Sequence, residues 1–165
     1  MTSRVTRTVL AFLLLSISSP AIARADITGF LGVTTTPSNR PAVGFAVGAG
    51  LVIVGFEFEY AHTNEDLLSL SPELRTFMFN GLLQTPIPIA GLQFYGTVGG
   101  GIYRETLSTA FDPTETNFGI NVGGGVKWSL AGPLRLRFDY RVFTLNGNPR
   151  HTHVQRLYAG LNLKF

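Results

Sequence analysis

Two stretches of this chain set charged residues on alternate positions among apolar ones. Val54-Gly55-Phe56-Glu57-Phe58-Glu59-Tyr60 carries two glutamates, and Leu134-Arg135-Leu136-Arg137-Phe138-Asp139-Tyr140-Arg141-Val142 carries three arginines and an aspartate. Guanidinium and carboxylate groups join through strong charge-assisted hydrogen bonds, so an ion-pair network is the chemistry these residues offer. The histidines offer a second kind. His62 and the i, i+2 pair His151 and His153, with Glu65 and Asp66 available, present imidazole and carboxylate groups of the type that chelate zinc or copper. One loop pair without a fixed third ligand is a poor site, and no metal is expected. Nucleophilic chemistry has little support: Ser38, Ser69, Ser71, Ser108 and Ser129 stand apart from any histidine, and His151-Thr152-His153 is followed by no serine. A nucleophile and base are therefore not encoded side by side. The clusters Gly99-Gly100-Gly101 and Gly123-Gly124-Gly125 lack the Gly-x-Gly-x-x-Gly spacing before a helix and the Lys-Ser/Thr of a phosphate loop. The chain is expected to be no enzyme and to hold no cofactor.

Composition limits what can position these groups. Of the 165 residues 45% are hydrophobic and 14% charged, with 19 Gly and no Cys. Average chains carry about 25% charged residues, so this one is too apolar for disorder and too charge-poor for an ordinary aqueous surface. Without cysteine there is neither a disulfide framework nor a thiolate metal centre. The net charge of +3 is concentrated at the start. Residues 1–25 read as a cleaved secretory signal, with Arg4 and Arg7 as the basic end, Val9 to Leu15 as the apolar core and Ala21, Ala23 and Ala25 as small residues at the exit. A cut after Ala25 leaves 26–165 as one domain; a cut after Ala23 is the other small-residue possibility. With Arg4, Arg7 and Arg24 removed, ten basic residues face ten acidic ones, and a nucleic-acid partner loses its electrostatic basis.

Beyond the signal no run approaches the ~20 apolar residues of a membrane helix. Period-two alternation recurs instead, the signature of strands with two unlike faces. Besides 54–60 and 134–142 it marks Leu92 to Tyr103, Asn117 to Leu130 and Arg156 to Phe165, with weaker runs at Asp26 to Thr35, Ala42 to Gly50 and Thr76 to Thr85. That makes eight strands. Short connections are expected at Gly48-Ala49-Gly50, Pro86 to Gly91 and Ala131-Gly132-Pro133. Longer polar ones are expected at Thr36 to Pro41, Thr63 to Leu74, Leu107 to Glu115 and Asn146 to His153. Short turns on one rim and longer loops on the other describe an antiparallel up-and-down meander.

The apolar face of the five best runs carries no charge, and Tyr60, Phe94, Phe118, Trp128, Tyr140 and Phe165 sit near its ends, which suits an outward band bordered by aromatic girdles. The polar face interleaves Gly55, Gly99, Gly101, Gly119, Gly123, Gly125 and Gly160 with large polar side chains. Glycine is a poor strand former, but in the narrow interior of an eight-stranded barrel it makes space for the long side chains. The polar face is therefore placed inside.

A signal peptide, eight alternating strands and the terminal Leu161-Asn162-Leu163-Lys164-Phe165 resemble the small outer-membrane β-barrels similar to the membrane domain of outer-membrane protein A, the outer-membrane protein X group and the opacity-type adhesins. The resemblance spans Asp26 to Phe165 and is one of pattern. It implies an all-β fold, an eight-stranded antiparallel transmembrane barrel with periplasmic short turns and extracellular long loops, in the outer membrane of a Gram-negative-type bacterium. It also implies that Leu161, Leu163 and Phe165 form the C-terminal signal read by the barrel-assembly machinery, with periplasmic chaperones as further biogenesis partners.

In a ring of eight, the third and seventh strands face each other. Glu57, Glu59, Lys127, Arg135, Arg137, Asp139 and Arg141 are thus expected to form an interior ion-pair network, with Arg156 and Lys164 nearby. Arg75 and Arg104 fall on the outward phase at the loop ends and are candidates for lipopolysaccharide phosphates; Arg40 and Arg150 lie in the loops and are candidates for the same contacts. The function expected is a structural or surface-interaction role in envelope integrity, adhesion or lipid contact, by a monomer with a plugged lumen. A narrow porin-like channel gated by the interior pairs and a soluble periplasmic lipocalin-like carrier are the alternatives.

Overall fold

The computed structural model describes residues 24–107 and 114–165; the signal segment through residue 23 and part of the third long loop lie outside them. Eight strands follow in order: β1 (Arg24–Thr34), β2 (Arg40–Gly50), β3 (Val54–Thr63), β4 (Glu73–Gln84), β5 (Leu92–Thr106), β6 (Glu115–Ala131), β7 (Leu134–Leu145) and β8 (His153–Lys164). Each pairs antiparallel with the next, and β8 closes on β1 from Asp26 opposite Lys164 to Thr34 opposite Arg156. Closure leaves no sheet edge unpaired, which removes the usual hazard of an exposed strand. Every strand found has its counterpart among the alternating runs, because period-two patterning specifies both the element and its faces.

Several boundaries differ from the sequence reading, and two of them bear on the interior and on the chain start. The β2–β3 connection is Leu51–Ile53, not Gly48 to Gly50. Those glycines are in the ladder, Gly48 opposite both Asp26 and Glu57 and Gly50 opposite Gly55. Their small size serves the interior rather than a turn. Secondly, β1 starts at Arg24, two residues ahead of the expected domain boundary, with Arg24 opposite Gly50 and Ala25 opposite Ala49. The β4–β5 connection ends in a two-residue hairpin: Ile89 and Leu92 exchange both backbone hydrogen bonds at 2.9 Å around Ala90 and Gly91. Both central residues have positive φ, 51° and 80°, as a type I′ turn demands.

The faces are sorted as the alternation requires. Phe45, Phe56, Phe58, Phe79, Phe94, Phe118, Trp128, Phe138 and Tyr140 point outward. Outward positions along the strand bodies carry no charge until His62, Glu73, Arg75 and Arg104 near the long-loop rim. Inside, the lumen is layered. Toward the long loops Leu74, Met78, Tyr103, Phe143, Leu145 and Val154 form a buried apolar cluster. Charged groups occupy the middle, and a cavity opens at the short-turn end. The apolar layer was not expected from the sequence; its members share the inward phase with polar neighbours, so composition alone does not separate them.

Candidate functional site

The middle layer is built from β3, β7 and β8. Glu57 and Glu59 point in from one wall and Arg137, Asp139 and Arg141 from the opposite one, because both strands present their charges on the same alternate phase. Arg156 joins from β8. All six side chains are buried. Arg137 grips Glu57 with both terminal nitrogens, one at 3.1 Å, while its Nε donates to Asp139 at 2.7 Å and to the Tyr95 hydroxyl at 2.7 Å. Arg141 donates to Glu57 at 2.8 Å and pairs with Glu59 at 3.0 Å and with Asp139 at 3.4 Å. Arg156 lies 3.6 Å from Glu59, donates to the Thr76 hydroxyl at 3.3 Å and stacks its guanidinium over Phe143 at 4.6 Å. Tyr95 donates to Asp139, and Tyr158 donates to Glu59 at 2.9 Å. Three carboxylates thus meet three guanidiniums, so the layer is charge-neutral. Neutrality matters because an unpaired ion away from water costs several kcal/mol, on the order of ~3–5 when one partner is removed.

Two of the seven predicted network residues are elsewhere. Lys127 and Arg135 pair with Asp26, at 2.7 and 3.0 Å, and not with the glutamates. Arg135 also donates to Asn162 at 2.8 Å and Gln93 at 3.2 Å. The sequence marks Asp26 only as the residue that follows the signal, because its partners are 101 and 109 positions away. Tyr95 and Tyr158 were assigned to the inward face, but no local signal tells which carboxylate each one bonds.

Glycines create the room for this layer. A Cβ on Gly125 would lie 2.5 Å from the Tyr95 hydroxyl oxygen, and one on Gly123 would lie 2.9 Å from Arg141 Cγ. The glycine-rich middle of β6 is the space that the tyrosine and the arginine occupy, which accounts for clusters that resemble nucleotide loops only in composition.

At the long-loop end the sequence reading of Arg40 is corrected. Arg40 is the first residue of β2, 3% exposed, and turned inward. Its guanidinium donates to the Thr36 carbonyl at 3.1 Å, to the Asn64 carbonyl at 3.5 Å and to the Pro72 carbonyl, so it ties two loops together and offers nothing to an external phosphate. The same loops meet through Ser38, which donates to Asp66 at 3.1 Å, and within the second loop Ser69 donates to Asp66 at 2.6 Å. The Ser69 hydroxyl holds the Asp66 carboxyl below the usual carboxylate range. Arg150 is in the last long loop and donates its backbone N–H to Glu105 at 3.3 Å. Arg75 and Arg104 stand directly opposite each other on β4 and β5, facing outward. Arg75 pairs with Glu73 at 2.5 Å and Arg104 donates to Thr116 at 3.3 Å. His62 is 3.1 Å from Asn64 and 3.5 Å from Glu73, while His153 is 3.3 Å from Thr144. Among the described residues no three metal-ligating side chains come together. Leu161, Leu163 and Phe165 all face outward, and the Phe165 N–H donates to the Ala25 carbonyl at 2.8 Å.

No protein-family model matches the chain, and no curated protein matches it in sequence. Its likeness is to solved structures. The N-terminal β-barrel domain of Pseudomonas aeruginosa OprF superposes with a TM-score of 0.67 at 13% identity, over 86% of this chain and 97% of that one. Neisserial surface protein A gives 0.66 at 17% identity, over 87% and 96%. Ail, the attachment invasion locus protein of Yersinia pestis, gives 0.57 at 12% identity, over 87% and 98%. The outer membrane enzyme PagL shares the architecture as well, with a TM-score of 0.50 at 10% identity, so the architecture does not separate enzymes from other barrels. The closed antiparallel ring of eight strands is the common ground: this chain has the fold of the small eight-stranded outer-membrane β-barrels.

Proposed function

We propose that the protein is a monomeric integral outer-membrane barrel with a structural and surface-interaction role, its lumen closed by the neutral ion-pair layer. The observation that carries this reading is the inversion of the usual solubility pattern. Glu57, Glu59, Arg137, Asp139, Arg141 and Arg156 are buried at the centre, while leucine, valine and phenylalanine cover the outside. Such a surface is stable in hydrocarbon and would associate in water. The β1–β2, β3–β4, β5–β6 and β7–β8 connections on one rim are the parts available to a partner, and the Ser38–Asp66 and Arg40–Asn64 contacts hold the first two in one arrangement. Arg75 and Arg104, side by side beyond the apolar band, suit phosphates of the surrounding lipid, since guanidinium pairs bidentately with phosphate. Leu161, Leu163 and Phe165 fit a C-terminal assembly signal displayed on the outer face of β8.

Folded protein in the outer-membrane fraction, migrating differently on gels before and after boiling, is the expected outcome of fractionation; recovery in the soluble periplasm would overturn the reading. In planar bilayers the refolded protein is expected to give no resolved conductance steps, because the ion-pair layer fills the lumen of an eight-stranded barrel. The gated-channel alternative draws on one feature, that Arg141 contacts Glu57, Glu59 and Asp139 at once and so has alternative partners. Steps that change in Glu57→Ala would establish that alternative instead.

The start of β1 favours signal cleavage after Ala23. A cut after Ala25 removes two ladder residues and takes away the carbonyl that accepts the Phe165 N–H. N-terminal sequencing of the mature protein is expected to begin at Arg24-Ala25-Asp26; a sequence starting at Asp26 would refute this.

A further inference from the structure

The short-turn end of the lumen holds a cavity of about 460 Å³ whose two sides differ in character. One wall is cationic: Arg24 from β1, Lys127 from β6, Arg135 from β7 and Lys164 from β8. Against these four charges stand Asp26, shared by Lys127 and Arg135, and Glu57, which is already held by Arg137 and Arg141. Arg24 and Lys164 form no ion pair among the described residues. The other wall is mostly apolar, with Gln84 as its polar member, bonded to the Leu51 carbonyl at 3.3 Å. Leu51 and Val52 from the β2–β3 turn, Leu82 from β4 and Pro86 and Pro88 from the β4–β5 connection line it. Ring order makes these walls opposite, since the β4–β5 turn lies diametrically across from the β8–β1 seam.

The hollow is made by glycine, as the ion-pair layer is, but with the opposite result. Where Gly123 and Gly125 give up their space to Arg141 and Tyr95, Gly55 leaves room for a side chain. A Cβ there would make ordinary contacts, the nearest being the Ala49 carbonyl at 3.6 Å. Gly50, directly opposite Gly55 in the ladder, has its nearest contact, Gln84 Nε2, at 3.4 Å. The floor is not open: Glu57 and its arginines close it. Lys127, only 4% exposed, is held by Asp26 at 2.7 Å, so among the described residues the cations of this wall that no carboxylate holds are Arg24 and Lys164.

We propose that this vestibule is a binding site for a single-chain anionic amphiphile, with the headgroup on the Lys164, Arg24 and Lys127 side and the aliphatic chain along Leu51, Val52 and Leu82. The volume suits one small ligand. An inorganic anion would satisfy one wall and leave the other wet; a neutral alkyl chain would do the reverse. The site needs both parts in one molecule.

Because the chain has no cysteine, a single reporter can be placed at the mouth. Ser129→Cys, a near-isosteric change at a lining position, carries an environment-sensitive fluorophore on full-length mature protein in nanodiscs of zwitterionic lipid. Octyl phosphate is expected to give a saturable blue shift, butyl phosphate a midpoint at least tenfold higher, and inorganic phosphate no saturable response. Gly55→Leu, whose Cβ would meet its neighbours no closer than 3.6 Å, sends a side chain into the cavity and is expected to weaken octyl phosphate at least tenfold. Lys164→Glu, which breaks no ion pair, is expected to do the same. Both variants should keep the wild-type heat-modifiable migration. Octanoate in parallel ranks carboxylate against phosphate, and saturation by either supports the site. Equal midpoints for inorganic and octyl phosphate, a wild-type midpoint in Gly55→Leu, or a response that rises linearly as bilayer partitioning does would overturn the proposal.

Discussion

Arg137→Ala lowers the unfolding free energy of the barrel by about 3–5 kcal/mol, the cost of leaving buried charge without its partner. Arg137 is fully buried and holds Glu57 and Asp139 together from one guanidinium, with the Tyr95 hydroxyl as a third contact. Removing it changes a neutral layer of three carboxylates and three guanidiniums into one with an excess negative charge in a narrow lumen. The measurement is urea unfolding of protein inserted in lipid vesicles, followed by the fluorescence of Trp128 and by the loss of the fast-migrating folded band. The companion double variant Glu57→Gln/Arg137→Met makes the account specific. It keeps the layer neutral, with Glu59 and Asp139 against Arg141 and Arg156, and is expected to be more stable than Arg137→Ala although it alters two residues. Contacting residues are where additivity fails. A single-variant loss below about 1 kcal/mol, the scale of an exposed pair, would show that the layer contributes little to stability.

Gly125→Val is expected to destabilise by more than about 3 kcal/mol, combining overpacking with the loss of hydrogen bonds to charged groups. Its first added carbon would fall 2.3 Å from the Phe138 carbonyl oxygen and 2.5 Å from the Tyr95 hydroxyl. The phenol must then leave Asp139 and Arg137, so one methine at the wall reaches the centre of the ion-pair layer. Gly29→Val serves as the contrast. Gly29 faces outward on β1 with nothing within 4 Å of its added carbon, and a β-branched residue suits a strand better than glycine does. That variant should match or exceed wild-type stability in the same urea titration. If both glycines respond alike, strand propensity rather than interior space governs their placement.

The strand count, the two faces and the inward direction of Glu57, Glu59, Arg137, Asp139 and Arg141 were legible in the chain because side chains on a strand repeat every two residues. A one-residue slip would expose every charge. The β2–β3 turn differs for a related reason: glycine marks turns in most sequences, but in this interior Gly48 gives its space to the Asp26 side chain, Gly50 and Gly55 are ladder partners, and the actual turn, Leu51–Ile53, carries residues that read as strand. Arg40 falls in a loop when the second run is started at Ala42; the ladder extends two residues further, and there Arg40 shares the inward phase of Ala42 and Ala46.

By itself, then, the sequence determined that this is an eight-stranded ring with polar groups on one face, since alternation and the low charge fraction are local and additive properties. Pairing was decided by tertiary structure alone. Asp26 takes Lys127 and Arg135 away from the glutamates, Tyr95 reaches Asp139, and a cavity remains beside Gly55. Each of these depends on the ladder registers and on the shape of the closed ring. Those bring together residues 44, 101 and 109 positions apart, and no local pattern in the chain encodes such distances.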